Sequence, residues 1–170
     1  DPELPTVDAP LPVRRKLVDK KINFLGLTSE ETQFYQSLGL VENSDGSYGC
    51  MASDPENPQR RFTLFKVKKL DGVIVISTFL DRGQFIKGQQ EAITEFFLKM
   101  IDFYTEIPKQ YYLGIEHYFQ EFYSRIVDGR IRPSSERVYL VDEPESTVIL
   151  YHPLQGSLQG TGLSLNIPLN

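Results

Sequence analysis

FTLFKVKKLDGVIVISTFL, residues 62–80, decides how this chain is read. Asp71-Gly72 divides two runs rich in β-branched and aromatic residues, and Asp-Gly tolerates the positive φ angles of a two-residue hairpin turn. A two-residue loop sets Leu70 opposite Val73, Val67 opposite Ile76, Phe65 opposite Thr78 and Thr63 opposite Leu80. Side chains alternate along a strand, so one face carries Phe65, Val67, Ile74, Ile76 and Leu80, a sensible core face. The other carries Lys66, Lys68 and Ser77, but also Phe62, Leu64 and Phe79. That second face is amphipathic, so a partner or another part of the chain is expected to cover some of it.

Working outward, Asp45-Gly46 marks a second, shorter hairpin between 40–44 and 47–52. Ahead of it, Thr28 and Glu31 have capping-box spacing, Phe34, Tyr35 and Leu38 form one apolar stripe, and Gly39 suits a left-handed stop. A helix is predicted over 85–105, where Phe85, Ile93, Phe96, Phe97, Met100, Ile101 and Tyr104 recur at helical steps. Pro108 breaks it, and a second helix follows from about Lys109 to Val127, ended by Asp128-Gly129. Two apolar runs, 137–141 and 147–151, flank an acidic loop at 142–146 and read as a third hairpin. The expected fold is therefore α+β: an antiparallel sheet of up to six strands, with the N-terminal helix and the central two-helix segment packed on one face.

Residues 1–13, with four prolines, read as an extended lead-in, and 14–152 as one domain. Residues 153–170 read as an extended Gly/Ser/Leu-rich tail, with Leu163, Leu165, Ile167 and Leu169 able to lie against a surface. A length of 170 residues with 40% hydrophobic and 24% charged residues suits one folded domain. The net charge of −5 disfavours generic phosphate-backbone binding. Cys50 is the only cysteine, which excludes an internal disulfide and fits a reducing, cytoplasmic setting. The chain begins at Asp1 rather than Met, which reads as a processed or cut product, and no apolar run is long enough to span a bilayer.

The residues that carry chemistry do not assemble into a motif. Cys50 meets His152 only if the first and last hairpins adjoin, and a small buried cysteine is the simpler reading. His117 lies mid-helix, and Glu91 and Glu95 lie on a solvated helix face. Asp142, Glu143 and Glu145 form an ordinary acidic loop, and no phosphate-cradling signature follows Gly156, Gly160 or Gly162. No catalytic, cofactor-binding or metal-binding residue is assigned.

Charge segregation and surface aromatics remain. Residues 28–58 hold six acids and no Lys or Arg, whereas 60–69 hold five bases and no acid. The expected contact residues are Arg61, Phe62, Leu64, Lys66, Lys68 and Phe79 on the strands, with Tyr111 and Tyr118 on the tyrosine-rich helix. The expected function is a non-catalytic interaction domain, an assembly factor or adaptor, that binds a protein partner or its own copy. One alternative is a small-molecule or sensory domain with a pocket between sheet and helices. The second alternative is nucleic-acid binding through the basic strand 60–69, with Phe62 and Phe65 expected on opposite faces.

Overall fold

A computed structural model describes residues 27–134, 138–140, 147–154 and 160–169, and of Val138 and Tyr139 the backbone only. The hairpin at Asp71-Gly72 forms as its residues require, with Gly72 at φ +71°. Strand β3 (Asn57–Leu70) pairs antiparallel with β4 (Val73–Leu80) from Leu70↔Val73 to Lys66↔Ser77. There the ladder stops, so the expected pairs Phe65–Thr78 and Thr63–Leu80 do not form.

The cause lies on the other side of β3. Strand β2 (Tyr48–Asp54) pairs Cys50 with Phe65 but Met51 with Thr63, leaving Leu64 as an extra residue in β3. A bulge of this kind bends the strand and resets which side chains face inward. Phe65 and Phe62 are consequently both buried, where strict alternation puts them on opposite faces. β3 also starts earlier than residue 62, because Asp54 and Asn57 close a hairpin over Pro55-Glu56 and the Asp54 carboxylate accepts the Glu56 N–H at 2.9 Å.

Among the described residues the sheet is antiparallel throughout, with seven strands in the order β1-β2-β3-β4-β7-β6-β5. Strand β1 (Val41–Glu42) is short and lies at one edge; β5 (Val138–Tyr139) lies at the other, next to β6 (Val148–Pro153). Pairing of β5 with β6 is antiparallel, and the acidic loop 142–146 lies outside the described residues. The N-terminal lead-in and the basic stretch at 14–21 also lie outside them.

The expected tail corrects the domain boundary. Thr161–Pro168 forms β7, paired with β4 on one side and β6 on the other. Leu163, Leu165 and Ile167 alternate with Gly162, Ser164 and Asn166, so one side is apolar, fully buried and part of the main core. The sheet thus runs past residue 152, and β7 makes the seventh strand.

Helix α1 (Ser29–Ser37) carries the expected capping box between Thr28 and Glu31. Helix α2 spans Gln89–Tyr104, starting later than residue 85. Gly88 is left-handed at φ +81°, and the Gln89 carboxamide accepts the Ile86 N–H at 2.8 Å, so the chain turns there before the helix begins. A 3₁₀ turn at Lys109–Tyr111 then leads into α3 (Tyr112–Val127).

Helix and strand side chains join in one core. Phe65 stacks on Phe96 at 4.0 Å, Phe97 meets Phe119 edge-on at 5.6 Å, and Phe34 stacks on Phe103 at 4.1 Å. Fully burying each such ring stabilises the fold by about 1.5–3 kcal/mol. Below α1, the buried Glu31 accepts the Thr28 N–H at 2.9 Å, Lys69 Nζ at 3.1 Å and the Tyr104 hydroxyl at 2.5 Å. Tyr104 also meets the Tyr35 hydroxyl. Among the described residues no helix is long and apolar enough to cross a membrane.

Candidate functional site

Among the described residues, the helices pack on the side of the sheet that carries Val67, Ile74, Ile76, Leu165 and Ile149. The opposite side carries Lys66, Ser77 and Phe79 beside the buried Gly49, and, further along, His152 beside the buried Ser164 and Val148. On this open side the split between β3 and β4 leaves a pocket of about 450 Å³. Phe62, Phe79, Met51 and Leu154 supply its apolar lining, and Arg60, Arg61 and Lys66 its charge. A second hollow of about 470 Å³ continues toward the sheet edge and shares Met51, Arg61, Thr63 and Lys66 with the first.

The charges are arranged unevenly. Arg60 is held by Asp54 at 3.2 Å and Asp81 at 2.9 Å, which bridges the far end of the β3–β4 split. Lys66 pairs with Asp45 at 3.1 Å. The Ser47 hydroxyl and amide, followed by Lys66, hold the Asp45 carboxyl well below the usual carboxylate range. Arg61 and Lys68 pair with no acid among the described residues. The open face therefore offers an unpaired guanidinium beside an apolar hollow, a combination common at the anchors of protein interfaces.

Four of the expected contact residues, Arg61, Phe62, Lys66 and Phe79, line this one pocket. Lys68 is exposed on the same strand, and Leu64, at the bulge, is half-buried against the core. Tyr118 corrects the expectation: it is 2% exposed and packs inside, because its position on α3 falls in the buried stripe with Ile115 and Phe122. Burial pushes the Tyr118 hydroxyl up to about 12. Tyr111 is half-buried against the core. The most exposed large apolar residue of α3 is instead Leu113, at 77%.

Phe65, the second aromatic of the basic strand, is buried against Phe96 and cannot stack on a base. Among the described residues, Phe65 packs on Phe96 between sheet and helices, and Phe97 on Phe119 between α2 and α3. A groove of about 520 Å³ between α2 and α3 opens outward instead, lined by Glu91, Glu95, Asp102 and Glu116 with Lys99 and Lys109.

Cys50 and His152 are separated by β3, β4 and β7, and Cys50 pairs with Phe65 on the core side. Burial pushes the Cys50 thiol up, away from a reactive thiolate. One polar pair escaped sequence reasoning: His152 Nε2 lies 2.8 Å from Ser164 Oγ, with Nδ1 3.0 Å from the Pro153 carbonyl. Only the cross-strand register of β6 and β7 brings these residues together, and neither stretch carries a signal for it. A nucleophilic serine also needs donors for the developing oxyanion. Here Ser164 is 5% exposed and lies between two paired strands, whose ladders occupy the neighbouring amides. The pair instead fixes the imidazole over Gly162, where an added Cβ would come within 2.8 Å of the ring.

Comparison of the chain with protein families, curated proteins and solved structures finds no match.

Proposed function

We propose that this chain is a non-catalytic interaction domain that binds a protein partner on the open face of β2–β4. The observation that carries the reading is the pocket itself. It joins Phe79, Arg61 and Lys66 of the face that the helices leave bare to Phe62, which lines the same hollow at the β3–β4 split. An apolar anchor seated between the two phenylalanines, with an acidic group meeting Arg61, fits both the shape and the charge of this surface. The overall charge of −5 and the burial of Phe65 make a protein a better fit than a nucleic acid.

The test is quantitative capture from the native cell extract, with and without nuclease, using the wild-type chain, Phe79→Ala and Arg61→Glu. A protein held in stoichiometric amount by the wild type and lost by both variants supports the reading. Nuclease-sensitive material alone turns the assignment to nucleic acid, and capture that ignores both substitutions removes the open face from consideration.

A further inference from the structure

We propose that the outer edge of β2 takes an extended acidic segment of a protein partner by strand addition. This inference rests on the open face of β2–β4 being the binding surface, and names the kind of ligand it takes. Strand β1 pairs with β2 only through Val41↔Gly49 and Glu42↔Tyr48. Beyond Gly49, β2 has β3 on one side and, among the described residues, no strand on the other. The Ser47 carbonyl accepts the Asn43 N–H at 2.8 Å, so the odd-numbered residues of this stretch present their backbone groups toward β1. Strand alternation then aims the N–H and C=O of Met51 and Ser53 outward, as a template for another strand.

Edges of this kind are ordinarily blunted by lysine, proline or a covering element. Cys50-Met51-Ala52-Ser53 holds no charge and no proline. The exposed apolar side chains beside it, Met51 at 52% and Val41 at 66%, extend the same unguarded strip. The hollow at this edge is lined by Val41, Met51, Arg61 and Lys66, so an added strand runs beside Arg61 and beside Lys66, which Asp45 already pairs. Arg61 pairs with no acid among the described residues. Carboxylates on the incoming segment answer that charge. A second copy pairing through the same edge would instead bring its Arg61 toward this one, a like-charge arrangement that disfavours it.

The experiment uses ¹⁵N-labelled chain and three heptapeptides: alternating glutamate and valine, the same peptide with alternate amides N-methylated, and alternating lysine and valine. The glutamate–valine peptide is expected to shift the Met51 and Ser53 amide resonances. Its affinity should fall about tenfold on Ser53→Pro, which removes an outward N–H, as the loss of one or two hydrogen bonds implies. A similar fall is expected on Arg61→Glu. N-methylation, which keeps charge and composition but removes donors, should also weaken binding about tenfold without any change to the protein. Equal binding of the N-methylated or the lysine peptide overturns the proposal. So does an absence of shifts at Met51 and Ser53, and so do shifts there that grow with protein concentration in the absence of peptide, which assign the edge to a second copy. Partner capture separates the two levels. Loss on Phe79→Ala with retention on Ser53→Pro leaves the open-face reading standing and removes the edge, whereas retention on both removes the two together.

Discussion

Removing the Glu31 carboxylate is expected to be among the most destabilising single changes in the described fold. This side chain is fully buried and accepts hydrogen bonds from the Thr28 N–H, Lys69 Nζ and the Tyr104 hydroxyl. Truncation in Glu31→Ala strands the amide, at about 1–3 kcal/mol, and takes from the Tyr104 hydroxyl its charged acceptor, leaving it the Tyr35 hydroxyl, at about 1.5–3 kcal/mol. Loss of the ion pair adds less than the full cost of a wholly buried one, because the Lys69 side chain is 21% exposed and can turn toward water. The sum is about 3–5 kcal/mol, a large share of the roughly 5–15 kcal/mol that holds a domain folded. With a urea slope of about 2 kcal/mol per molar, the unfolding midpoint should drop by about 1.5–2.5 M. Glu31→Gln keeps an acceptor and the volume, so about half that loss is expected. A double-mutant cycle with Tyr104→Phe should show coupling of about 1 kcal/mol or more, as contacting residues do. A cost below about 1 kcal/mol for Glu31→Ala, or equal costs for the alanine and glutamine variants, would mean that the buried carboxylate does not hold these donors.

Burial, the leading cause for each, raises the Tyr35, Tyr104, Tyr112, Tyr118 and Tyr123 hydroxyls above the usual value. Above about pH 10 the unfolded chain releases protons that the folded chain retains, so stability is complete below that pH and falls as pH rises. In an alkaline titration at 295 nm these tyrosines should ionise together with loss of the circular dichroism signal, and their ionisation near pH 10 in a folded chain would contradict the burial. The double reversal Lys66→Glu with Lys68→Glu changes two surface side chains, one tied to Asp45, and should alter stability by under about 1 kcal/mol in the same urea assay. Loss of cooperative unfolding would mean the register of β3 is wrong. Gly160 has φ +142°, and an added Cβ would lie 3.2 Å from the Leu80 carbonyl and 3.0 Å from the Phe79 ring. Gly160→Ala should therefore cost about 1–3 kcal/mol by thermal or urea unfolding, and a neutral result would argue against this approach of the chain to β4.

The hairpin at Asp71-Gly72, the capping box of α1 and the apolar stripes of α2 and α3 were legible because each depends on residues close in the chain. What stayed hidden depends on distant pairing. Gly162, Ser164 and Asn166 look like a linker until β4 and β6 close on either side, and only then do Leu163, Leu165 and Ile167 become a core face. The Leu64 bulge is invisible in 62–70 alone, since it arises from a mismatch in length against β2. That mismatch turns Phe62 into a pocket wall beside Phe79 rather than an exposed aromatic. The basic residues of the pocket were readable from charge segregation, whereas the burial of Tyr118 was not, because a wide tyrosine stripe fits a core and a surface equally well. His152 and Ser164 meet only through register.

The most direct test of the central claim compares capture by the wild-type chain, by Phe79→Ala and by Leu113→Ala, with each captured protein quantified against the bait. Leu113 is the most exposed large apolar residue of α3, on the helix layer and away from the pocket. The expected result is a stoichiometric protein partner that survives nuclease, is lost on Phe79→Ala and is kept on Leu113→Ala. A partner lost on Leu113→Ala and kept on Phe79→Ala would contradict it and move the binding surface to the helices.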